Sequence, residues 1–408
     1  MEVFGKRFAN LPSLIESIIK DHRKPQGQQY SVVDIVGSVV SMFLTGQQSR
    51  NNYNTDRVLL RDNFCKGLGI NLCHGDTSED FLRVLNPEQS TILLQEMVRK
   101  LIADKVLDSF RYQGYFPLAI DGVTLHGLPD DHKGTALYKE SKNGVKTYYS
   151  AMLEAKLVSS NDFAISLAQE PISNDPLCDN EKQDCEIRAF ERLAVNLKAA
   201  FPRLPIILLL DALYFNERVI SICEHNGWKY IIVQKDNAPA FLREEIELRP
   251  DGQHITKGIQ QWKLLHDLPC YHRNLRWFSH KNHLSTFAWC TNLEVSKENL
   301  TEVSTCARLR WKIENQGFDV QKNHGYNLSH RYSRISTRAT ANYYIFLQIA
   351  HLFNQLVLLE VRFKNAIQKL SKARLWEHFR ALLRTNLHRF SLLRALCSRK
   401  QHSYTLLK

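Results

Sequence analysis

Two periodicities divide this chain. In residues 1–114 the apolar positions recur at helical spacing, as in residues 31–44, where Val32, Val33, Ile35, Val36, Val39, Val40, Phe43 and Leu44 share one broad face. That pattern stops at Gly46, and a polar stretch, residues 47–52, follows. Thr77, Ser78, Glu79 and Asp80 have the composition of a helix start, an N-cap with acids in the first turn. Residues 87–103 predict another helix.

From Tyr115 the period shortens. Residues 116–125, 148–157 and 163–170 predict three strands in succession, the last two joined by turn-prone Ser159, Ser160, Asn161 and Asp162. Residues 180–200 return to helix, with Ile187, Phe190, Leu193, Ala194 and Leu197 on one side. Residues 205–210 are almost unbrokenly aliphatic, the pattern of a strand buried on both faces. A helix over 217–226 and a strand over 228–233 complete the order βββαβαβ, that of a ribonuclease H-like sheet. Residues 250–292 interrupt it with short aromatic strands, a β insertion, and helix resumes over 300–320, ending near Gly325. Segment 339–361 is long and apolar, but Asn342, Gln348, His351, Asn354 and Gln355 break it, so it predicts a buried helix and no membrane span.

The expected fold is therefore α/β, a ribonuclease H-like mixed sheet with flanking helices. The expected domains are a helical one over 1–114, a core over 115–335 with the β insertion at about 250–292, and C-terminal helices with a basic tail over 336–408.

Charge sharpens this picture. Of a net +12, residues 361–408 carry +11, with twelve Lys or Arg against Glu377, leaving +1 for residues 1–360. Such a tail suits a polyanion such as DNA, or serves as a solvated basic helix. The helical N-terminal domain either packs on the core or reads DNA with a helix in the major groove through Gln47, Arg50 and Asn51. Nine cysteines without any Cys-x-x-Cys argue against a disulfide framework and a zinc ribbon, and Cys65, Cys73 and His74 lack a fourth ligand. Residues 1–7 do not have the order of a secretory leader, so a reducing cytoplasm is the expected setting.

The chemistry is suggested by where two aliphatic runs end. One delivers Asp121, followed by Gly122, Val123 and Thr124; the other delivers Asp211, followed by Ala212, Leu213 and Tyr214. A carboxylate at the end of a buried strand either caps the next helix or meets a ligand, since strand ends of α/β sheets are where ligands bind. The polar loop 127–144 holds Asp130, Asp131, His132 and Lys142. Glu314 follows Arg310 by one helical turn, a spacing that by itself is most often a surface ion pair.

Taken with Trp311, Lys312 and Ile313 between Arg310 and Glu314, these pieces resemble the DDE transposases of bacterial insertion sequences, specifically the IS4-like group, over about residues 100–330. The resemblance implies that Asp121, Asp211 and Glu314 form a catalytic triad holding Mg²⁺, with Mn²⁺ also active. It implies that Arg310 grips phosphate. The family's Tyr-x2-Arg-x3-Glu-x6-Lys signature is met at Arg310 and Glu314, while Ala307 stands for the tyrosine and Gln321 for the lysine, with Lys322 one place later. A tryptophan of the insertion, Trp262, Trp277 or Trp289, is expected to stack a flipped base, Trp277 foremost, with at least two of the three in the core. Asp184 and Glu186 either lie near the metals or compensate a helix dipole. The implied partners are double-stranded DNA, at element ends and target, and a second copy of the chain, in a bacterial nucleoid. Two other readings stay open, a non-catalytic DNA-binding protein and a nuclease without strand transfer.

Overall fold

The computed structural model describes residues 8–359 apart from 9, 132–133, 175–182, 235–239, 250 and 283–284, together with 374, 377 and 381. The basic tail over 361–408 and the expected helix start at 180–182 lie outside the described residues, those three positions apart. The chain forms two compact units, one of residues 1–97 and 319–408 and the other of residues 98–318.

The first unit opens with helices α1 (Leu11–Ile18), α2 (Val32–Leu44), α3 (Arg50–Leu68), α4 (Gly75–Val84) and the start of α5 (Pro87–Ala103). Ser31 begins α2 with a capping box: its hydroxyl accepts from the Asp34 N–H and the Asp34 carboxylate accepts from the Ser31 N–H. The stretch expected to be a polar connection becomes α3, capped by Ser49, whose hydroxyl accepts from the Asn52 N–H. Helix α4 starts earlier than the sequence suggests, capped by His74 rather than near Thr77, because the His74 ring accepts from the Asp76 N–H.

The second unit is built on one ten-stranded sheet. Its strands are β1 (Phe116–Leu128), β2 (Leu137–Glu140), β3 (Lys146–Val158), β4 (Ala164–Ile172), β5 (Ile206–Leu210), β6 (Lys229–Gln234), β7 (Gln253–Lys257), β8 (Gln260–Cys270), β9 (Arg273–Lys281) and β10 (Thr286–Thr291). Strand order is β2-β3-β1-β5-β6-β10-β9-β8-β7, with β4 also paired to β3. Antiparallel β1, β3 and β4 form a meander, whereas β5 and β6 run parallel to β1. All of β5 is buried, as its aliphatic run requires. Between the strands lie α6 (Glu186–Ala200), α7 (Glu217–His225) and α8 (Ala240–Leu248). Residues 250–292 hold four strands, and they extend the same sheet, since β10 pairs antiparallel with β6.

Residues 300–320 do not make one continuous helix. Helix α9 (Leu300–Arg308) tightens into bonds from Arg310 to Ala307, Lys312 to Leu309 and Ile313 to Arg310, and then widens into a π-helix, Ile313–Phe318. No Gly or Pro marks the tightened turn. The π-helix packs on β1, β3 and β4.

The first unit resumes with α10 (Asp319–Asn323) and α11 (Thr337–Leu359). The polar residues of α11 are buried with partners: the Asn342 amide donates to the carbonyls of Leu82 and Leu85, and Asn354 donates to the Tyr326 hydroxyl. No helix among the described residues is long and apolar enough to cross a membrane.

Candidate functional site

Strand register aligns the two aspartates. Parallel β1 and β5 place Ala119 beside Leu209, and Asp121 and Asp211 each lie two residues further on, Asp121 within β1 just past its pairing with β5 and Asp211 at the carboxyl end of β5. Asp211 does not cap the following α-helix, which Asn216 starts by accepting from the Val219 N–H. The Asp211 carboxylate instead accepts from the Ala212 N–H at 2.6 Å, at the head of a 3₁₀ turn, Ala212–Tyr214.

The third carboxylate arrives on the π-helix. Arg310 is nearly fully buried and holds both ends of the group: Nη2 stands 3.0 Å from Glu314 Oε1 and Nη1 stands 3.6 Å from Asp121 Oδ2. The surface pair suggested by spacing alone is thus a half-buried link between a strand and a helix. Arg310 Nε and Nη1 are buried without a hydrogen-bond partner, a costly arrangement for a charged group. Burial first, and the charges of Glu314 and Glu186 after it, push the Asp121 carboxyl up to about 7 against the pull of Arg310.

Glu186 completes the acidic surroundings from the other face of the sheet. A Cβ on Gly122 would come within 2.5 Å of Glu186 Oε1, so this carboxylate rests on the backbone next to Asp121. The buried Tyr214 hydroxyl donates to Glu186 Oε2 at 3.0 Å. Burial, and then the charge of Glu186, hold that phenol well above its ordinary range, with Asp121 and Asp211 adding to the effect. Asp184 is committed elsewhere, pairing with Arg192 at 2.8 Å.

Hard carboxylate oxygens suit a divalent cation such as Mg²⁺. Burial, more than the neighbouring acids, raises the Asp121 carboxyl, and the oxygens of Asp121, Asp211 and Glu314 fit such an ion by their chemistry. Among the described residues no three acid, His or Cys side chains are gathered closely enough to enclose a metal.

The other anticipated residues are dispersed. Trp262, Trp277 and Trp289 are only 3%, 7% and 3% exposed. All three are packed in the sheet, and Trp277 has no open face to offer a base in this conformation. Lys142 is exposed in the turn between β2 and β3. In the first unit, Arg50 pairs with Asp76 at 3.2 Å and lies 3.8 Å from Glu79. Gln47 is buried, donating to Thr45 and Asp56. Lys322 is half-buried on α10, next to fully buried Gln321, whose amide meets Gln348 and His351.

Sequence reading passed over an aromatic that the fold leaves open. Trp311 is 48% exposed, with the Arg310 guanidinium 5.0 Å from its ring centroid. A cavity of about 330 Å³ opens between Trp311, Phe287, Arg308, Lys312, Asn315 and Gln316. The available signal was its position beside Arg310 on a helix too polar to bury both faces.

No family model matches this chain, and no curated protein matches it. Among solved structures the chain is similar to a piggyBac transposase synaptic complex with hairpin DNA, seen by cryo-EM, at 11% identity over 99% of this chain and 82% of that chain, with a TM-score of 0.44. That likeness is too loose to fix the fold or the function.

Proposed function

We propose that this chain is a DDE-type transposase of the IS4-like group, with a ribonuclease H-like core, that cuts DNA at the ends of a mobile element and joins 3′ ends to a target. The observation that carries this reading is Arg310: a buried guanidinium, with two unsatisfied nitrogens, tying Asp121 of β1 to Glu314. The order of the meander β4-β3-β1 followed by parallel β5 and β6 supports the core assignment.

Asp121, Asp211 and Glu314 would hold the divalent cations, Mg²⁺ or Mn²⁺. When bound, such ions activate a water or 3′-hydroxyl and stabilise the leaving oxygen in an in-line displacement at phosphorus. The chain's own groups do the rest. Arg310, whose Nε and Nη1 are buried in this conformation, would reach the non-bridging oxygens of the phosphate once DNA binding opens the site, a charge-assisted contact that strengthens as negative charge develops. The Ala212 N–H fixes one oxygen of Asp211, and the Gly122 N–H, at 2.9 Å, fixes one of Asp121. Lys142, Arg50 and Lys322 supply backbone contacts along double-stranded DNA, and synapsis of two ends calls for a homodimer on that DNA.

A second reading has its own support. With Arg310 bridging two acids and no three-carboxylate cluster among the described residues, the same fold suits a DNA-binding protein that does not cut. Nicking of supercoiled DNA in Mg²⁺ or Mn²⁺ decides between them. The wild-type chain is expected to nick, and Asp211→Asn and Glu314→Gln variants, shown folded by circular dichroism, are expected not to. Equal nicking by the folded variants would overturn the triad. Nicking without joining of 3′ ends would leave a nuclease.

A further inference from the structure

We infer that the buried Glu154–Lys156 pair of β3 is a positioning device for the proposed carboxylate site, fixing the strand that carries Asp121 against the π-helix that carries Glu314. The inference rests on the reading of those carboxylates given above.

Glu154 and Lys156 lie two residues apart on β3 and so project from the same face of the sheet. Register places Glu154 directly across from Asp121, and Lys156 across from Ala119. Neither side chain has any exposed surface, and Lys156 Nζ stands 3.2 Å from Glu154 Oε2. The same oxygen accepts from the Ser166 hydroxyl of β4 at 2.7 Å.

The stem of Lys156 reaches the π-helix. A Cβ on Gly317 would lie 3.1 Å from Lys156 Cδ and 3.2 Å from Cε, so glycine lets the turn seat directly on the lysine. The ammonium is 5.7 Å from the centroid of the Phe318 ring. Gly317 is three residues beyond Glu314 on that turn. One buried side chain therefore touches the turn bearing Glu314 and neutralises the residue opposite Asp121.

Packing alone does not call for charges here. Two apolar residues would fill the space with less desolvation, and buried pairs are often neutral or unfavourable for stability. A carboxylate directly across a strand pair from another carboxylate is unfavourable. Lys156 and Ser166 remove that repulsion and give Glu154 a fixed orientation. Asp121 then has a neutralised neighbour on one side and Arg310 on the other.

The test uses the full chain. Lys156→Met alone leaves a buried carboxylate unpaired and can unfold the protein, so the pair is removed together as Glu154→Gln with Lys156→Met. Gly317→Ala separately loads the contact without touching either charge. Two readouts are followed against Mg²⁺ concentration: the melting temperature, and nicking of supercoiled DNA. Both variants are expected to require about tenfold more Mg²⁺, or beyond, for half-maximal response in each. The metal-free melting temperature of the pair-removed variant should stay close to wild type. A lowered metal-free melting temperature with an unchanged Mg²⁺ midpoint would mean a merely structural pair and overturn the inference. If wild type shows no Mg²⁺ response and no nicking, the reading of the site falls and takes this inference with it. If wild type shows both and the variants match it, the positioning role alone falls.

Discussion

The guanidinium of Arg310 lies 3.0 Å from the Glu314 carboxylate, while its other terminal nitrogen lies 3.6 Å from Asp121, so one cation occupies the position between two acids. Its removal should therefore have opposite effects on cation affinity and on cutting. In Arg310→Gln the half-maximal Mg²⁺ concentration should fall, because an internal competitor for the carboxylates is gone. Nicking at saturating Mg²⁺ should fall by roughly 10²-fold, the scale of losing one preorganised donor to developing charge. A Mg²⁺ titration of nicking reads both numbers at once.

The raised carboxyl of Asp121 gives a sign to the pH dependence of metal-free stability. Its folded value, about 7, exceeds the ordinary 3.8 because burial and neighbouring acids disfavour the anion. A group raised in this way contributes stability that is present below the unfolded value and lost as pH rises through the folded one. The melting temperature without metal should accordingly drop as pH rises from about 4 to about 7 and level off above that. Asp121→Asn should flatten that drop. Differential scanning calorimetry of the two proteins across the range checks it.

Gly122 and Tyr214 share the task of holding Glu186. Gly122→Ala would drive a methyl to within 2.5 Å of Glu186 Oε1, and the expected loss is about 1–3 kcal/mol, as for overpacking elsewhere. Tyr214→Phe removes only the hydroxyl that donates to Glu186, with an expected loss of about 1 kcal/mol. Urea denaturation measures both, and the double variant should be less than additive because the two changes act on one carboxylate.

The tryptophans separate by exposure. Trp311→Ala should leave stability nearly unchanged and weaken single-stranded DNA binding by about 1–3 kcal/mol, the worth of one base stack. Trp277→Ala should cost about 3–5 kcal/mol of stability, as for a large aromatic truncated in a core. Fluorescence anisotropy with a labelled oligonucleotide, beside thermal melts, distinguishes the two roles.

The strands were legible where burial on both faces left a continuous aliphatic run, as in β5, or where two largely apolar runs were joined by a turn-prone stretch, as in β3 and β4. The position of Asp211 at a strand end followed from such a run, whereas β1 continues past Asp121 to Leu128 because its pairing with β3 outlasts the aliphatic stretch. Helix α3 was not legible, because Arg50, Asn51, Asn52, Asn54, Thr55 and Asp56 give it a polar first half without a clear apolar stripe. The π-helix was hidden for a different reason. The tightened turn at Leu309 and Arg310 contains no helix breaker, and the π-helix after it packs on β1, β3 and β4, contacts between residues far apart in the chain that local propensity does not carry. Glu154 and Lys156 look like surface residues by type, and only the register of three strands and the seat under Gly317 show them to be buried. At least two of the insertion tryptophans were expected in the core and all three are there, but aromatic strands give no sign of which face a neighbouring strand will cover, so the sequence did not single out Trp277 as buried too.

The central claim is that Asp121, Asp211 and Glu314 act together on divalent cations. Titration of the metal-free chain with Mn²⁺, followed by electron paramagnetic resonance of the unbound ion, tests it without reference to any DNA substrate. Wild type should bind Mn²⁺, and each of Asp121→Asn, Asp211→Asn and Glu314→Gln, with its fold confirmed, should lose about 10–100-fold in affinity. Equal binding by wild type and all three variants, or none by any of them, would contradict it.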